Sequence, residues 1–152
     1  MSELRQKSAK KLDREIRRAA KNRCGYCLAE QPYIFAWLEI EHLQPRAKGG
    51  KTVRGNLWLA CPFCNAFKGA QTRGVDPQTK RKVPLFNPRT QRWENHFEFG
   101  EDRAMILGKT VCGRATINAL KINHELALAT SRHWVSVGWY PPEDCLPAVT
   151  GQ

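Results

Sequence analysis

Four cysteines stand in two CxxC pairs, Cys24-Gly-Tyr-Cys27 and Cys61-Pro-Phe-Cys64, with 33 residues between them. Each CxxC turn presents two thiolates to one ion, so the pairs together read as one tetrahedral zinc site. A plain zinc ribbon has a gap of roughly 15–20 residues. The longer gap must hold folded structure of its own, closed at both ends by the metal. Inside it lies Glu39-Ile-Glu41-His42, and Asn65 follows the last cysteine directly. Redox use of the pairs is the rival reading. Two matched pairs favour metal.

The charge points to the kind of partner. The chain has 152 residues and carries 25 Lys+Arg against 14 Asp+Glu, a formal net charge of +11. Such a balance favours a polyanion, above all nucleic acid. Residues 1–23 hold nine basic and three acidic side chains, and residues 42–82 hold nine basic side chains against Asp76 alone. The second cluster surrounds the cysteine-bounded segment, with Arg46, Lys48, Lys51 and Arg54 on the stretch after His42. No run approaches the roughly 20 apolar residues of a membrane helix. The basic N-terminus lacks the apolar stretch of a secretory signal. A cytoplasmic location is therefore expected, with DNA as partner and neither a membrane nor a small-molecule substrate. Cys112 and Cys145 lie outside both pairs and have no assigned role.

The pattern along the chain predicts an α+β fold in a single domain, 1–152. Residues 3–22 lack Gly and Pro, and Leu4, Leu12, Ile16 and Ala19/Ala20 make a narrow apolar stripe, so 1–23 is expected to carry a basic amphipathic helix. Residues 33–42 favour a strand by aromatic and β-branched content, broken by Pro45 and Gly49-Gly50. Asn56-Leu-Trp-Leu-Ala60 is a second short apolar stretch, and a helix is expected from Pro62. Residues 24–72 then form a zinc-clamped core and 73–152 an accessory extension. In that extension 71–92 reads as an extended connection, 96–107 as a hairpin with a four-residue turn, and 113–122 and 124–137 as helices.

Glu41-His42, Pro45, Gly49-Gly50, Asn56-Leu57 and Cys61-x-x-Cys64-Asn65-x-x-Lys68 together resemble the signature of HNH endonucleases, in the variant whose third motif residue is Asn. The tail, through Leu85-Phe-Asn-Pro-Arg89, Trp93, Gly113-Arg-Ala-Thr116 and Gly138-Trp-Tyr-Pro-Pro142, is similar to the extension of stand-alone bacterial HNH proteins. The resemblance implies a ββα-metal core with a structural zinc on Cys24, Cys27, Cys61 and Cys64. It implies a metal-dependent DNA endonuclease in which His42 is the general base and Asn56 holds the loop and orients His42. Glu41 and Asn65 would ligate the catalytic cation, and Lys68 would stand near the DNA backbone with Arg46, Lys48, Lys51 and Arg54.

The chemistry agrees with those roles. A neutral imidazole, with an ordinary pKa of about 6.5, accepts a water proton near neutrality. One carboxylate and one amide leave most of a cation's shell to water and phosphate, which suits Mg²⁺ or Mn²⁺. Neighbours on a regular strand face opposite sides, so Glu39 shares the face of Glu41 and competes with it for the metal. The alternative function is a non-catalytic zinc-ribbon module that binds nucleic acid.

Overall fold

The computed structural model describes residues 2–146; the last six residues of the expected extension lie outside this range. Helix α1 (Glu3–Ala19) starts at Ser2, whose hydroxyl accepts from Arg5 N. It stops short of the expected residue 22 because Lys21 and Asn22 adopt left-handed φ values of 56° and 52°. Its inward face is carried by Ile16 and Ala20, both buried, whereas Leu4 at the other end is 76% exposed. Only the C-terminal half of the helix therefore joins the core.

The first knuckle follows, and then a short 3₁₀ turn over Gln31–Tyr33. The strand expected over 33–42 forms only at its end, as β1 (Glu39–His42). Pro32 sits in the 3₁₀ turn, and the segment behind it leaves Phe35 and Trp37 in solvent instead of on a sheet. Strand β1 pairs antiparallel with β2 (Leu57–Ala60), Glu39 opposite Ala60 and His42 opposite Leu57. The connection between them folds back tightly at Gly50, where an added Cβ would lie 1.7 Å from the Gln44 carbonyl oxygen. Gly49 beside it has φ +85°, a value an L side chain rarely adopts. Helix α2 (Pro62–Lys68) begins on the second knuckle, with Pro62 in its first turn and the Cys61 sulfur accepting from Cys64 N. The order strand, strand, helix matches the ββα expectation, with one cysteine pair ahead of β1 and the other at the start of α2.

Beyond α2 the chain is more regular than expected. Residues 71–92 contain a hairpin, β3 (Arg73–Val75) against β4 (Lys82–Pro84). Its turn is built on Asp76, whose carboxylate accepts from Gln78 N, Thr79 N and the Thr79 hydroxyl. Polar turn chemistry thus supplies what the apolar pattern could not signal. A single helical turn, α3 (Trp93–His96), leads into β5 (Phe97–Phe99), paired with β6 (Ile106–Gly108). The second strand starts later than expected because Asp102 Oδ1 accepts from Ala104 N and Met105 N and so holds both in the turn. Helices α4 (Val111–Leu120) and α5 (Glu125–Ser136) follow, capped by Thr110 and His124.

One buried cluster joins the knuckles, β2 and the extension; it includes Tyr26, Leu38, Leu59, Phe86, Phe97, Ile106, Leu120 and Ile122. Phe86 meets Phe97 edge to face at 5.0 Å. Among the described residues no helix is long and apolar enough to cross a membrane.

Candidate active site

The sulfurs of Cys24, Cys27, Cys61 and Cys64 lie within 4.8 Å of one another, the one group of three or more candidate metal ligands among the described residues. A tetrahedral ion with Zn–S bonds of about 2.3 Å sets its sulfurs about 3.8 Å apart. Cys27 Sγ and Cys61 Sγ are 3.7 Å apart, so the cluster fits zinc. Hydrogen bonding from Cys24 is the largest influence within the group, pushing the Cys27 and Cys64 thiols up and holding Cys61 down. Without a cation the cluster therefore resists carrying four thiolates, and a metal would relieve that mutual repulsion.

The clamp brings α2 onto one face of β1. Asn65 Nδ2 donates to Glu39 Oε1 at 3.1 Å. An ionised carboxylate only accepts, so the amide must turn its nitrogen to Glu39, and Oδ1 is left over. The second glutamate of the face, Glu41, is 2% exposed. Its Oε1 accepts from the Tyr26 hydroxyl at 2.7 Å and faces Lys68 Nζ at 2.9 Å, while its buried Oε2 has no partner among the described residues. Burial raises the Glu41 pKa, and Lys68 and Tyr26 oppose that rise. The expected meeting of Glu41 with Asn65 is thus divided: Glu39 bonds the amide, and Glu41 is buried with Tyr26 and Lys68.

Lys68 corrects the sequence reading. It was expected beside a DNA backbone, but it is 3% exposed and ion-paired with Glu41. Its ammonium also lies 3.4 Å from the carbonyl oxygens of His42 and Leu43. A buried lysine without a counter-ion is very costly, and Glu41 supplies one. Lys68 consequently ties α2 to the end of β1, with its charge engaged by Glu41.

His42 closes β1, half-buried, with Nε2 2.9 Å from Thr52 Oγ1. Burial lowers its pKa below the ordinary histidine value, helped by the charges of Arg46 and Lys68. Asn56 staples the loop between them. Its Oδ1 accepts from Gln44 N, and its Nδ2 donates to Gln44 O and Lys51 O. Arg46, Lys48, Lys51 and Arg54 are all exposed on that loop. Arg54 is already engaged with Glu15 of α1. Beside Asn56 and Lys68 opens a cavity of about 500 Å³, lined also by Gln44, Arg73 and Asn87. A second cavity of about 460 Å³ flanks the cysteines between Phe63, Leu126 and Trp134; its apolar walls do not suit a phosphate.

Sequence reasoning missed Tyr26 and Thr52. Tyr26 lies within the first CxxC, which alone places it next to the metal turn; nothing local marks Thr52, ten residues from the histidine it meets.

The model of the HNH endonuclease family matches residues 24–71. These residues are an HNH endonuclease domain. The span runs from the first cysteine to just past α2 and contains every residue of the β1–α2 face. A curated relative, Septu protein PtuB of Bacillus thuringiensis, is 27% identical over 104 residues. The aligned region covers 67% of this chain and 37% of that protein, so the chain spans well under half of the relative's length. No solved structure matches the chain. The HNH domain supports a nuclease-type function.

Proposed function

We propose that the chain is a metal-dependent DNA endonuclease whose general base is His42. The observation that carries this reading is the β1–α2 face itself. It carries, on one strand–helix unit, a histidine with a lowered pKa and two oxygens that have no hydrogen-bond partner among the described residues, Asn65 Oδ1 and Glu41 Oε2. Those two oxygens are the proposed ligands of Mg²⁺ or Mn²⁺, a hard cation that would neutralise phosphate charge and act as a Lewis acid when bound. Glu39 then has a positioning role, fixing which end of the Asn65 amide is offered.

The remaining steps belong to the chain's own residues. His42 takes a proton from the attacking water, whose oxygen bonds to phosphorus. The P–O3′ bond breaks, leaving a 5′-phosphate and a 3′-hydroxyl, the latter protonated from solvent. Thr52 orients the imidazole, and Asn56 holds the loop that carries Thr52. Arg46, Lys48 and Lys51 contact flanking phosphates, which position DNA without reading its sequence. Zinc on the four cysteines is structural, because four sulfurs leave no open position. In this reading residues 1–152 form one unit, with 73–152 packed as support, and the free thiols accord with a cytoplasmic setting.

Nicking of supercoiled plasmid with added Mg²⁺ or Mn²⁺ tests the proposal. His42→Ala should lose roughly 10²–10⁴-fold in rate while keeping its zinc and its DNA affinity. Equal nicking by both proteins overturns the assignment of the base. Absence of nicking by the native chain in either metal favours the non-catalytic binding module.

A further inference from the structure

Two large aromatic side chains stand in solvent immediately before the active strand. Phe35 is 109% and Trp37 77% exposed, and neither pairs with another ring among the described residues. Trp139, also partly exposed, differs in being stacked on Tyr33 at 4.7 Å and 10°. Single exposed hydrophobic residues are ordinary; a rigidly presented pair is less so. The backbone here is fixed on both sides of Trp37. Gln31 Nε2 donates to Ala36 O at 2.9 Å, Leu38 N donates to Gln31 Oε1 at 2.8 Å, and Arg17 Nη1 donates to Leu38 O at 2.8 Å. Leu38 beside it is fully buried. The peptide is anchored, and the indole is not.

The surroundings say what such a pair meets. On α1, at about 100° per residue, Lys7, Lys11, Arg14 and Arg18 fall within about 60° of arc and form one stripe; all four are exposed. Glu15 lies about 70° to one side of that stripe, Arg17 about 90° to the other, and Ile16 roughly opposite. Glu15 holds Arg54 of the basic loop, Arg17 holds Leu38 of the aromatic segment, and Ile16 faces the core. The cationic stripe therefore runs between the basic loop on one flank and the aromatic pair on the other. Trp37 is two residues from Glu39, so their Cα atoms are at most about 7 Å apart. His42 lies five residues on, at most about 17 Å away. A stacked strand advances 3.4 Å per nucleotide, which puts Trp37 within about five and Phe35 within about seven nucleotides of His42.

We infer that Phe35 and Trp37 form a stacking platform for unpaired bases of the nucleic acid, with the α1 stripe following its backbone. The inference rests on the nucleic-acid reading above and narrows its substrate class to single strands, or duplexes with an unpaired segment beside the cut. Paired bases hide their faces against one another, whereas an unpaired base offers one to any aromatic ring. Phe35 also borders the apolar cavity beside the cysteines, but the flank of the pair nearest the active strand meets the cationic α1 stripe, and that charge selects a polyanion over an apolar protein surface.

The test is binding without cleavage. In the His42→Ala background, with zinc retained and no added Mg²⁺ or Mn²⁺, a labelled thymidine oligonucleotide is compared by anisotropy with a duplex of equal length. The Phe35→Ala/Trp37→Ala protein should bind the single strand at least roughly tenfold more weakly and the duplex within about threefold of the parent. Trp37→Tyr, which keeps a π-face, should restore most of the single-strand affinity. Equal losses on both probes, or no loss on either, overturn the platform. Unchanged binding with altered sedimentation overturns it too and assigns the pair to a second copy of the chain. If the parent binds neither probe, the nucleic-acid reading itself fails. That result is distinct from a parent that binds both probes and is indifferent to the double substitution.

Discussion

The two cysteine knuckles supply equal numbers of sulfurs but differ in what stands behind them. The second is supported from within, because Cys61 Sγ caps Cys64 N and Cys61 O accepts from Asn65 N as α2 begins. The first has no helix to close it. Gly25 N donates to Leu59 O, and two of its carbonyls take donors from the extension: Tyr26 O from Trp93 Nε1 at 2.8 Å, and Cys27 O from the Tyr140 hydroxyl at 2.6 Å. Both knuckles have local bonds, Tyr26 N to Cys24 Sγ and Leu28 N to Cys24 O in the first, but only the first also takes donors from residues 67 and 113 positions away. The extension thus reinforces the half of the metal site that has no helix behind it.

The largest effect should come from removing what the knuckles share. Cys61→Ser takes one sulfur from the cluster while leaving a hydroxyl that can still cap α2. Structural zinc in small domains supplies on the order of 10–16 kcal/mol of folding free energy, more than a domain of this size has to spare. The variant should lose zinc by metal analysis and show no cooperative melting transition. A zinc-free protein that melts normally and still cleaves would remove the clamp from the account.

These differences show which parts of the molecule were legible in sequence. The cysteine spacing exposed the metal cluster, and the Pro62 start exposed α2, because both depend on local chemistry. Asn56 and Asn65 stood out through their places in the motif. The partners of those residues were hidden, because contacts such as Lys68 with Glu41 or His42 with Thr52 form only when α2 and the loop close on β1. Lys68 shows the limit most clearly: as a lysine in a basic stretch it reads as surface charge, and only burial beside Glu41 reveals a structural cation. The β3–β4 hairpin was hidden for another reason. Its strands are three residues each, too short for an alternating pattern, and its turn is set by Asp76 hydrogen bonds.

A smaller effect, with a pH signature, should separate the extension's own stability from that of the clamp. Asp76 is fully buried, and Arg114 Nε and Nη2 both donate to its carboxylate at 3.0 Å. This fork, with the Thr79 and Gln78 donors, holds the Asp76 carboxyl well below the usual carboxylate range, while burial acts in the opposite direction. The folded pKa lies below the unfolded one. The stabilisation is therefore complete above the ordinary Asp value of about 3.9 and is lost as pH falls through the folded value. Asp76→Asn should lower Tm at neutral pH, and its gap from the parent should close as pH drops below about 4. Zinc content should not change. A gap independent of pH would mean that the ion pair is not what joins the β3–β4 turn to α4.

The smallest change addresses the first knuckle alone. Tyr140 is 5% exposed, and its ring packs on Phe99 and Trp134 at 5.5 and 5.7 Å. Tyr140→Phe keeps that packing and removes only the hydroxyl that donates to Cys27 O. The full cost of leaving a buried acceptor without its donor is about 1–3 kcal/mol, and the part-buried Cys27 O sets the loss at the lower end. A fall in Tm of a few degrees should follow, at about 2–4 °C per kcal/mol for a chain of this length. The site of the loss is the sharper measurement. Amide hydrogen exchange should speed up at Leu28 and Ala29, next to the knuckle, and stay unchanged from Cys64 to Lys68, where α2 supplies its own bonds. Equal loosening of both knuckles would show that they answer to the metal as one unit, with no separate dependence of the first on the extension.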